Sequence, residues 1–265
     1  MNKKYIIALD LDHTLLNTKG VITNKTKKYL KELHNKGNII VIATGRIFDT
    51  CYDVVSKLNF INYIATDTGS LIYDMKNKNV IYKKTFSKEN IKSLVNLYDD
   101  SYEYVEFSDE HYYYKYSKRK LNHYGLSRDI ENIDEFIKNN NVIHSSIKLV
   151  DQSNNNKVIE KINNEFKNLY AFEMKSESGN TRWIEIIRKN VSKFTAIKHI
   201  SKVENISISN TISFGDNYND LEMLGKCKYG VAMGNATDEI KSRVSYTTKS
   251  CDEDGVEYFL KEFFE

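Results

Sequence analysis

The sequence predicts an α/β protein: a parallel-sheet core built from both ends of the chain, with an α+β insertion between them. Three observations predict it. Short, continuously apolar runs alternate with amphipathic helical stretches at both ends of the chain, as right-handed βαβ units require. The middle of the chain reads instead as strands that neighbour one another, with helices set apart, an α+β pattern. Polar and acidic residues recur just after the apolar runs, and open α/β sheets keep their ligands at that edge. At 265 residues the chain can bury a sizeable core, as one large domain or two modest ones.

Taken in order, Tyr5-Ile6-Ile7-Ala8-Leu9 is a short buried strand. A helix capped by Thr23 or Asn24 follows, with Leu30 and Leu33 on one face and Gly37 as its terminator. Ile39-Ile40-Val41-Ile42-Ala43 has the unbroken apolar character of a strand covered on both faces. A helix over 47–58 and a strand over 63–65 complete the first alternation. Near residue 70 the character changes, and Leu71-Ile72-Tyr73 and Val80-Ile81-Tyr82 flank Asn77-Lys78-Asn79 as a hairpin. The spacing then predicts a helix (87–98), strands (102–107 and 111–116), a helix (131–139), a strand (143–150), a helix (154–168), and strands near 169–175 and 182–187. Alternation returns with a helix from Ser192 that keeps Phe194, Ile197 and Ile200 in phase. A strand at 211–214, a helix near Asn219, a strand at 229–232 and closing helices follow. The expected division is a core of 1–83 and 188–265, with 84–187 inserted.

Composition narrows the function. The 39 basic and 36 acidic residues nearly cancel, so there is no electrostatic case for a nucleic-acid binder. Lys3 and Lys4 precede an apolar stretch that Asp10 interrupts too soon for a secretion signal. No apolar run reaches transmembrane length. Cys51, Cys227 and Cys251 are odd in number and lack metal-like spacing, which points to reduced thiols and a cytoplasmic protein. Proline is absent, where average usage gives roughly a dozen. Asn, Lys, Ile and Tyr, all with AT-rich codons, are abundant, so genome composition is the simplest cause.

The chemistry sits at strand ends. Asp10 and Asp12 follow the first strand with one leucine between them, and His13 and Thr14 come next. Paired carboxylates beside a hydroxyl suit a divalent metal with a nucleophile or general acid; an Asp-rich turn is the alternative, and the pair alone leaves both open. Thr44-Gly45-Arg46 follows the second buried strand, where a hydroxyl and the N–H groups of a helix start make a seat for phosphate; a simple helix cap is the alternative. Lys193 stands in the first turn of its helix, against the helix dipole, which becomes sensible if an anion lies there; otherwise it is a solvated lysine. Gly215-Asp216-Asn217-Tyr218-Asn219-Asp220 follows the strand 211–214, and its hard oxygens suit Mg²⁺. Together these sites describe a phosphoryl-transfer centre. A carboxylate can attack phosphorus only if the phosphate charge is offset, and a second acid must serve the leaving alcohol and then water.

These four stretches, in this order, resemble the four motifs of the haloacid dehalogenase-like (HAD) phosphatases. Val231-Ala232-Met233-Gly234-Asn235-Ala236 resembles the segment after the last motif in the Cof-type, subclass IIB branch. The resemblance runs end to end, and the insertion falls where that branch keeps its α+β cap. It implies a Rossmann-like parallel-sheet HAD core with an inserted cap that selects substrate. It also implies a Mg²⁺-dependent phosphatase of small phosphomonoesters, such as sugar phosphates, flavin mononucleotide or pyridoxal phosphate. Asp10 would be the nucleophile that forms an aspartyl-phosphate and Asp12 the general acid/base. Thr44, Gly45, Lys193 and Asn219 would hold the phosphoryl group. The metal set would be Asp10, Asp12 through its backbone carbonyl, Asp216 and Asp220, the last orienting Lys193 or a metal-bound water. The implied partner is a small phosphorylated metabolite, with no nucleic acid or membrane, and the state a monomer or weak homodimer. The other readings of the same motifs are a phosphosugar mutase or phosphotransferase, and a non-catalytic phosphometabolite sensor. The chain departs from the family at His13, where glycine is usual, and at Thr68-Gly69-Ser70, where many relatives have Asn-Gly-Ala.

The insertion carries Tyr102, Tyr104, Tyr112, Tyr113, Tyr114, Tyr116 and Tyr124. Alternation on half-buried strands accounts for most of them, and stacking on a substrate is the alternative. Lys115, Lys118, Arg119 and Lys120 read as a solvated charged face. Arg182 is a candidate for substrate contact and Trp183 a packing anchor.

Overall fold

The computed structural model describes residues 3–121, 125–176 and 180–265; Tyr124 lies outside them. The chain forms two compact units. The first comprises Met1–Arg46, Cys51–Tyr82 and Ser192–Glu265, and the second Ile47–Thr50 with Lys83–Val191.

In the first unit the sheet is built from β1 (Ile6–Leu9), β2 (Ile39–Ala43), β3 (Tyr63–Thr66), β4 (Leu71–Asp74), β5 (Asn79–Lys83), and, from the distant end of the chain, β12 (Thr211–Gly215), β13 (Tyr229–Ala232) and β14 (Tyr246–Thr247). Their order is β14-β13-β12-β1-β2-β3-β4-β5. From β14 to β3 all neighbours are parallel, and β4 returns antiparallel to β3. The chain moves one way from β1 and the other way from β12, so the strand order reverses between them, where ligands of open α/β sheets bind.

Alternation along β1 shows why its run is apolar throughout. Ile7 and Leu9 pack with α1 (Asn24–Asn35) through Tyr29, Leu30 and Leu33 and with α9 (Gly255–Phe264) through Val256 and Leu260. Ile6 and Ala8 face the other way, onto α6 (Lys193–Val203) through Ala196, Ile197 and Ile200 and onto α7 (Leu221–Lys226) through Met223. A strand covered on both faces has no solvent side for a polar residue. α1 is capped by Thr23, whose hydroxyl accepts from Thr26 N at 3.2 Å, and Gly37 takes a left-handed φ of 90° just past its end. α2 (Phe48–Val55) is shorter than the expected 47–58, and α8 (Asp238–Lys241) is a single turn.

The second unit is a six-stranded sheet with helices on one face. Its strands are β6 (Tyr102–Ser108), β7 (Tyr113–Tyr116), β8 (Ser127–Asp129), β9 (His144–Leu149), β10 (Leu169–Lys175) and β11 (Arg182–Arg188), in the order β10-β11-β9-β6-β7-β8. Neighbours are antiparallel except β7 and β8. Residues from α3 (Lys88–Val95), α4 (Ile133–Asn139) and α5 (Asn155–Glu165) pack with Val105, Phe107, Ile147, Ile184 and Ile186 of the sheet.

Tyr102 and Tyr104 do not share a face as simple alternation predicts. The β6–β9 register shifts between them, so Tyr102 pairs with Leu149 and joins the core while Tyr104 pairs with Lys148. The Lys115 ammonium lies 4.8 Å from the Tyr104 ring centre and 3.7 Å from Glu106, so it is not the solvated charge expected. Trp183 is half-buried outside the apolar core, its indole N–H donating to Glu185 at 2.7 Å, which replaces the packing-anchor reading. Arg182 meets Glu173 at 3.5 Å.

Candidate active site

All the residues singled out for chemistry lie in the first unit, at or just beyond the C-terminal ends of strands or at the start of α6. Asp10 is still tied to the sheet, its N–H donating to Phe214 O at 3.1 Å. The chain then turns away through Leu11–Leu15, closed by bonds from Leu15 N to Asp10 O (3.3 Å) and from Leu16 N to Leu11 O (2.8 Å). His13 supplies the left-handed residue this turn needs, at φ 55°. Glycine adopts that angle without steric cost, which is the physical reason to expect it there. The His13 carbonyl accepts from Asn235 Nδ2 at 2.9 Å, and Asn235 Oδ1 accepts from Cys251 N at 2.9 Å, so the segment after the last motif anchors the turn.

The turn separates the two acids. Asp10 is buried, whereas the Asp12 side chain is 41% exposed and held by a two-bond fork from Arg46: Nε to Oδ2 at 2.8 Å and Nη2 to Oδ1 at 2.5 Å. Thr14 donates its hydroxyl to Asp216 Oδ1 at 3.1 Å.

Lys193 is the first residue of α6, following the cap Ser192, whose hydroxyl accepts from Thr195 N at 3.2 Å. Its side chain is only 1% exposed, and Nζ lies 2.6 Å from both Asp10 Oδ1 and Asp220 Oδ1. The cation that opposes the helix dipole is thus neutralised by two buried carboxylates rather than by solvent. The second Asp220 oxygen accepts from Asp216 N (3.1 Å) and Asn217 N (3.0 Å), which closes the loop after β12. Gly215 makes that closure possible, because a Cβ there would stand 2.4 Å from Asp220 Cγ.

Asp10, Asp216 and Asp220 each offer an oxygen within 4.8 Å of the others. Burial raises the Asp10 carboxyl to about 7, with Lys193 pulling it down and Asp220 and Asp12 adding to the rise. Burial likewise raises Asp216 to about 8, helped by Asp10 and Asp220. Burial alone would lower Lys193, but Asp10 and Asp220 outweigh it and hold the ammonium above its ordinary value. Once ionised, three hard carboxylates outnumber the one ammonium, and that donor set fits a small divalent cation. Both Asp220 oxygens are engaged by Lys193 and the backbone, so Asp10 and Asp216 are the carboxylates best placed to hold it.

Thr44 and Gly45 follow β2. Thr44 N donates to Ala65 O at 2.9 Å, and the Thr44 hydroxyl accepts from Arg46 N at 3.2 Å. α2 starts at Phe48, one residue later than expected, so these residues form a loop that ends ahead of the helix rather than lying at its start. Gly45 leaves room for Asn219, whose Nδ2 lies 3.4 Å from where a Cβ would stand. The four residues expected to hold phosphate therefore converge: Gly45 faces Asn219, and Asn219 precedes Asp220, which holds Lys193. Roles not foreseen are the Arg46 fork on Asp12 and the Asn235 anchor. Both residues end or follow motifs already singled out, but pairings across 34 and 222 residues leave no local signal.

A family model described as haloacid dehalogenase-like hydrolase matches residues 7–260. The chain belongs to the haloacid dehalogenase-like hydrolases. Within that family this hydrolase sits with the phosphatases, as its motifs led one to expect. It is 26% identical to a 5-amino-6-(5-phospho-D-ribitylamino)uracil phosphatase of Bacillus subtilis, over 95% of this chain and 92% of that one. It is 31% identical to a protein of Buchnera aphidicola that carries a provisional phosphatase name, over 88% and 87% of the two chains. A crystal structure of a haloacid dehalogenase-like hydrolase from Bacteroides thetaiotaomicron superposes with a TM-score of 0.80 at 23% identity, covering 99% of this chain and 100% of that one; at that identity the likeness speaks for the fold alone. Among the described residues no helix is long and apolar enough to cross a membrane.

Proposed function

We propose that this hydrolase is a Mg²⁺-dependent phosphatase of small phosphomonoesters that works through an aspartyl-phosphate on Asp10. The observation that carries the reading is the buried triad at the switch point of the sheet, with Lys193 Nζ at 2.6 Å from Asp10 and from Asp220 and with Asp216 beside them. Asp10 attacks phosphorus as the ester P–O bond breaks, and Asp12, which must first leave the Arg46 fork and take up a proton, gives that proton to the departing alkoxide oxygen. Asp12, now a carboxylate, takes a proton from the water that attacks the acyl phosphate, which releases inorganic phosphate and restores Asp10. Lys193, Asn219 and the Thr44–Gly45 loop hold the non-bridging oxygens, and Asp220 keeps Lys193 aimed at them. Asp10, Asp216 and the Asp12 carbonyl would hold Mg²⁺, which would supply positive charge that lets one anion approach another. Selection among esters falls, in this reading, to the inserted α+β unit.

The test is a phosphate-release screen over sugar phosphates, flavin mononucleotide, pyridoxal phosphate and 5-amino-6-(5-phospho-D-ribitylamino)uracil, the last because a relative is named for it. Release should require Mg²⁺ and stop on chelation. Asp10→Asn should lower kcat by at least about 10³-fold with the fold intact. Turnover of Asp10→Asn at the wild-type rate would refute the mechanism.

A further inference from the structure

Residues 67–69 carry three left-handed backbone angles in succession: φ 48° at Asp67, 54° at Thr68 and 95° at Gly69. Such angles are uncommon outside glycine, and for a β-branched residue such as Thr68 they are an outlier. Strain of this kind persists only where the surroundings over-determine it, and it tends to gather at functional sites. Here the surroundings are the two segments that carry Thr44, Gly45 and Lys193, which the proposed function assigns to phosphate.

On one side, Asp67 N donates to Arg46 O at 2.9 Å and Thr68 N donates to Thr44 O at 3.0 Å. The Thr68 hydroxyl oxygen lies 3.8 Å from where a Cβ would stand on Gly45. On the other side, a Cβ on Gly69 would stand 2.2 Å from Ser192 O and 3.1 Å from Lys193 N. Ser192 caps α6, and Lys193 opens it. Asp67 and Thr68 are both buried. One short turn therefore grips the loop after β2 through two hydrogen bonds and meets the start of α6 backbone to backbone.

We propose that Asp67-Thr68-Gly69 is a positioning loop that sets the spacing between the Thr44–Gly45 loop and the first turn of α6, with Gly69 the positioning residue for Lys193. The proposal rests on the phosphatase reading for the meaning of that spacing, since a phosphoryl group held from both sides needs both at a fixed distance. A side chain at 69 has no room beside the Ser192 carbonyl, so it must push α6 and its lysine away from Asp10. A displacement of about 1 Å at a reacting centre is enough to cost roughly 10²-fold in rate.

The test compares Gly69→Ala and Gly69→Asn with Gly20→Ala. Gly20 also has a left-handed angle, φ 69°, but a Cβ there meets nothing within 4 Å, so its substitution carries the backbone penalty without a clash. Asn tolerates left-handed angles better than Ala, so Gly69→Asn keeps the clash with less cost to folding and serves if Gly69→Ala does not fold. The readouts are thermal unfolding, the ¹⁵N resonance of the Lys193 ammonium in labelled protein without substrate, the affinity for inorganic phosphate, and kcat. Gly20→Ala should lower the unfolding temperature and leave the Lys193 resonance and phosphate affinity alone. Both Gly69 variants should shift or broaden that resonance, weaken phosphate binding at least tenfold and lower kcat by about 10²-fold. A folded Gly69 variant with the wild-type Lys193 resonance and phosphate affinity would overturn the proposal. If the wild-type protein released no phosphate from any ester, the phosphatase reading would fall, and the Lys193 resonance would still decide whether the loop positions it.

Discussion

Gly215 sits where a methyl group would strike the Asp220 carboxyl carbon at 2.4 Å. Asp220 ties the loop after β12 to Lys193, so Gly215→Ala must move a carboxylate that serves both. Its kcat should fall by about 10²-fold, the cost of roughly 1 Å of misplacement, while circular dichroism keeps the wild-type shape; an unchanged kcat would show that Asp220 has freedom it lacks here. In the sequence this glycine was legible as the hinge of a tight turn, and its neighbours as oxygen donors. That Asp220 spends its oxygens on Lys193 and two backbone N–H groups was not legible, because the partners come from different stretches of chain. His13 illustrates the same limit: the sequence marked it as unusual, but only its angle of 55° explains what the position demands.

The first turn of α2 is fastened to the turn between β6 and β7. Asp49 N donates to Glu110 O at 3.1 Å, and the Asp49 carboxylate meets His111 Nδ1 at 2.9 Å. These bonds explain why Ile47–Thr50 groups with the second unit, whereas the sequence expectation kept 47–50 in the core. The hydrogen bond that His111 donates to the Asp49 carboxylate, opposed by some burial, raises the His111 pKa above its ordinary value. A raised histidine stabilises the fold fully below its unfolded pKa and loses that contribution as pH rises through the folded value. Stability should therefore fall by a few tenths of a kcal/mol (~0.3) from pH 6 to 8, small because both side chains are largely exposed. Asp49→Asn should flatten that slope and return the His111 titration toward 6.5 by NMR; a titration unmoved by the substitution would rule the coupling out. Strands of four or five apolar residues were legible because they repeat a pattern. β8 and β14, at three and two residues with little apolar content, offered none.

Over the whole molecule, two raised carboxyls beside one lysine mean that ionising all three acids together is costly, a cost that a divalent cation would relieve. At about 100 times its dissociation constant, Mg²⁺ should stabilise the fold by about 2.7 kcal/mol, read as a rise of several degrees in the unfolding temperature that chelation reverses. Asp216→Asn should abolish most of that rise; a rise of equal size in the variant would place the ion elsewhere. The two-ended core was legible because apolar runs and acidic strand ends recur on both sides of the insertion. Substrate preference was not, since the tyrosines and charges of the second unit serve packing, ion pairs and solvent in proportions that depend on a register shift no pattern announces. The strand order has a further consequence, in time. β1 lies between β2 and β12, and β12 begins about 200 residues after β1 ends. At roughly 5–20 residues per second of synthesis, β1 waits on the order of 10–40 s for the neighbour that covers its second edge. Until then the apolar strand that leads to Asp10 presents a row of unpaired backbone N–H and C=O groups to every other chain nearby, so this enzyme's most exposed moment comes before it has an active site.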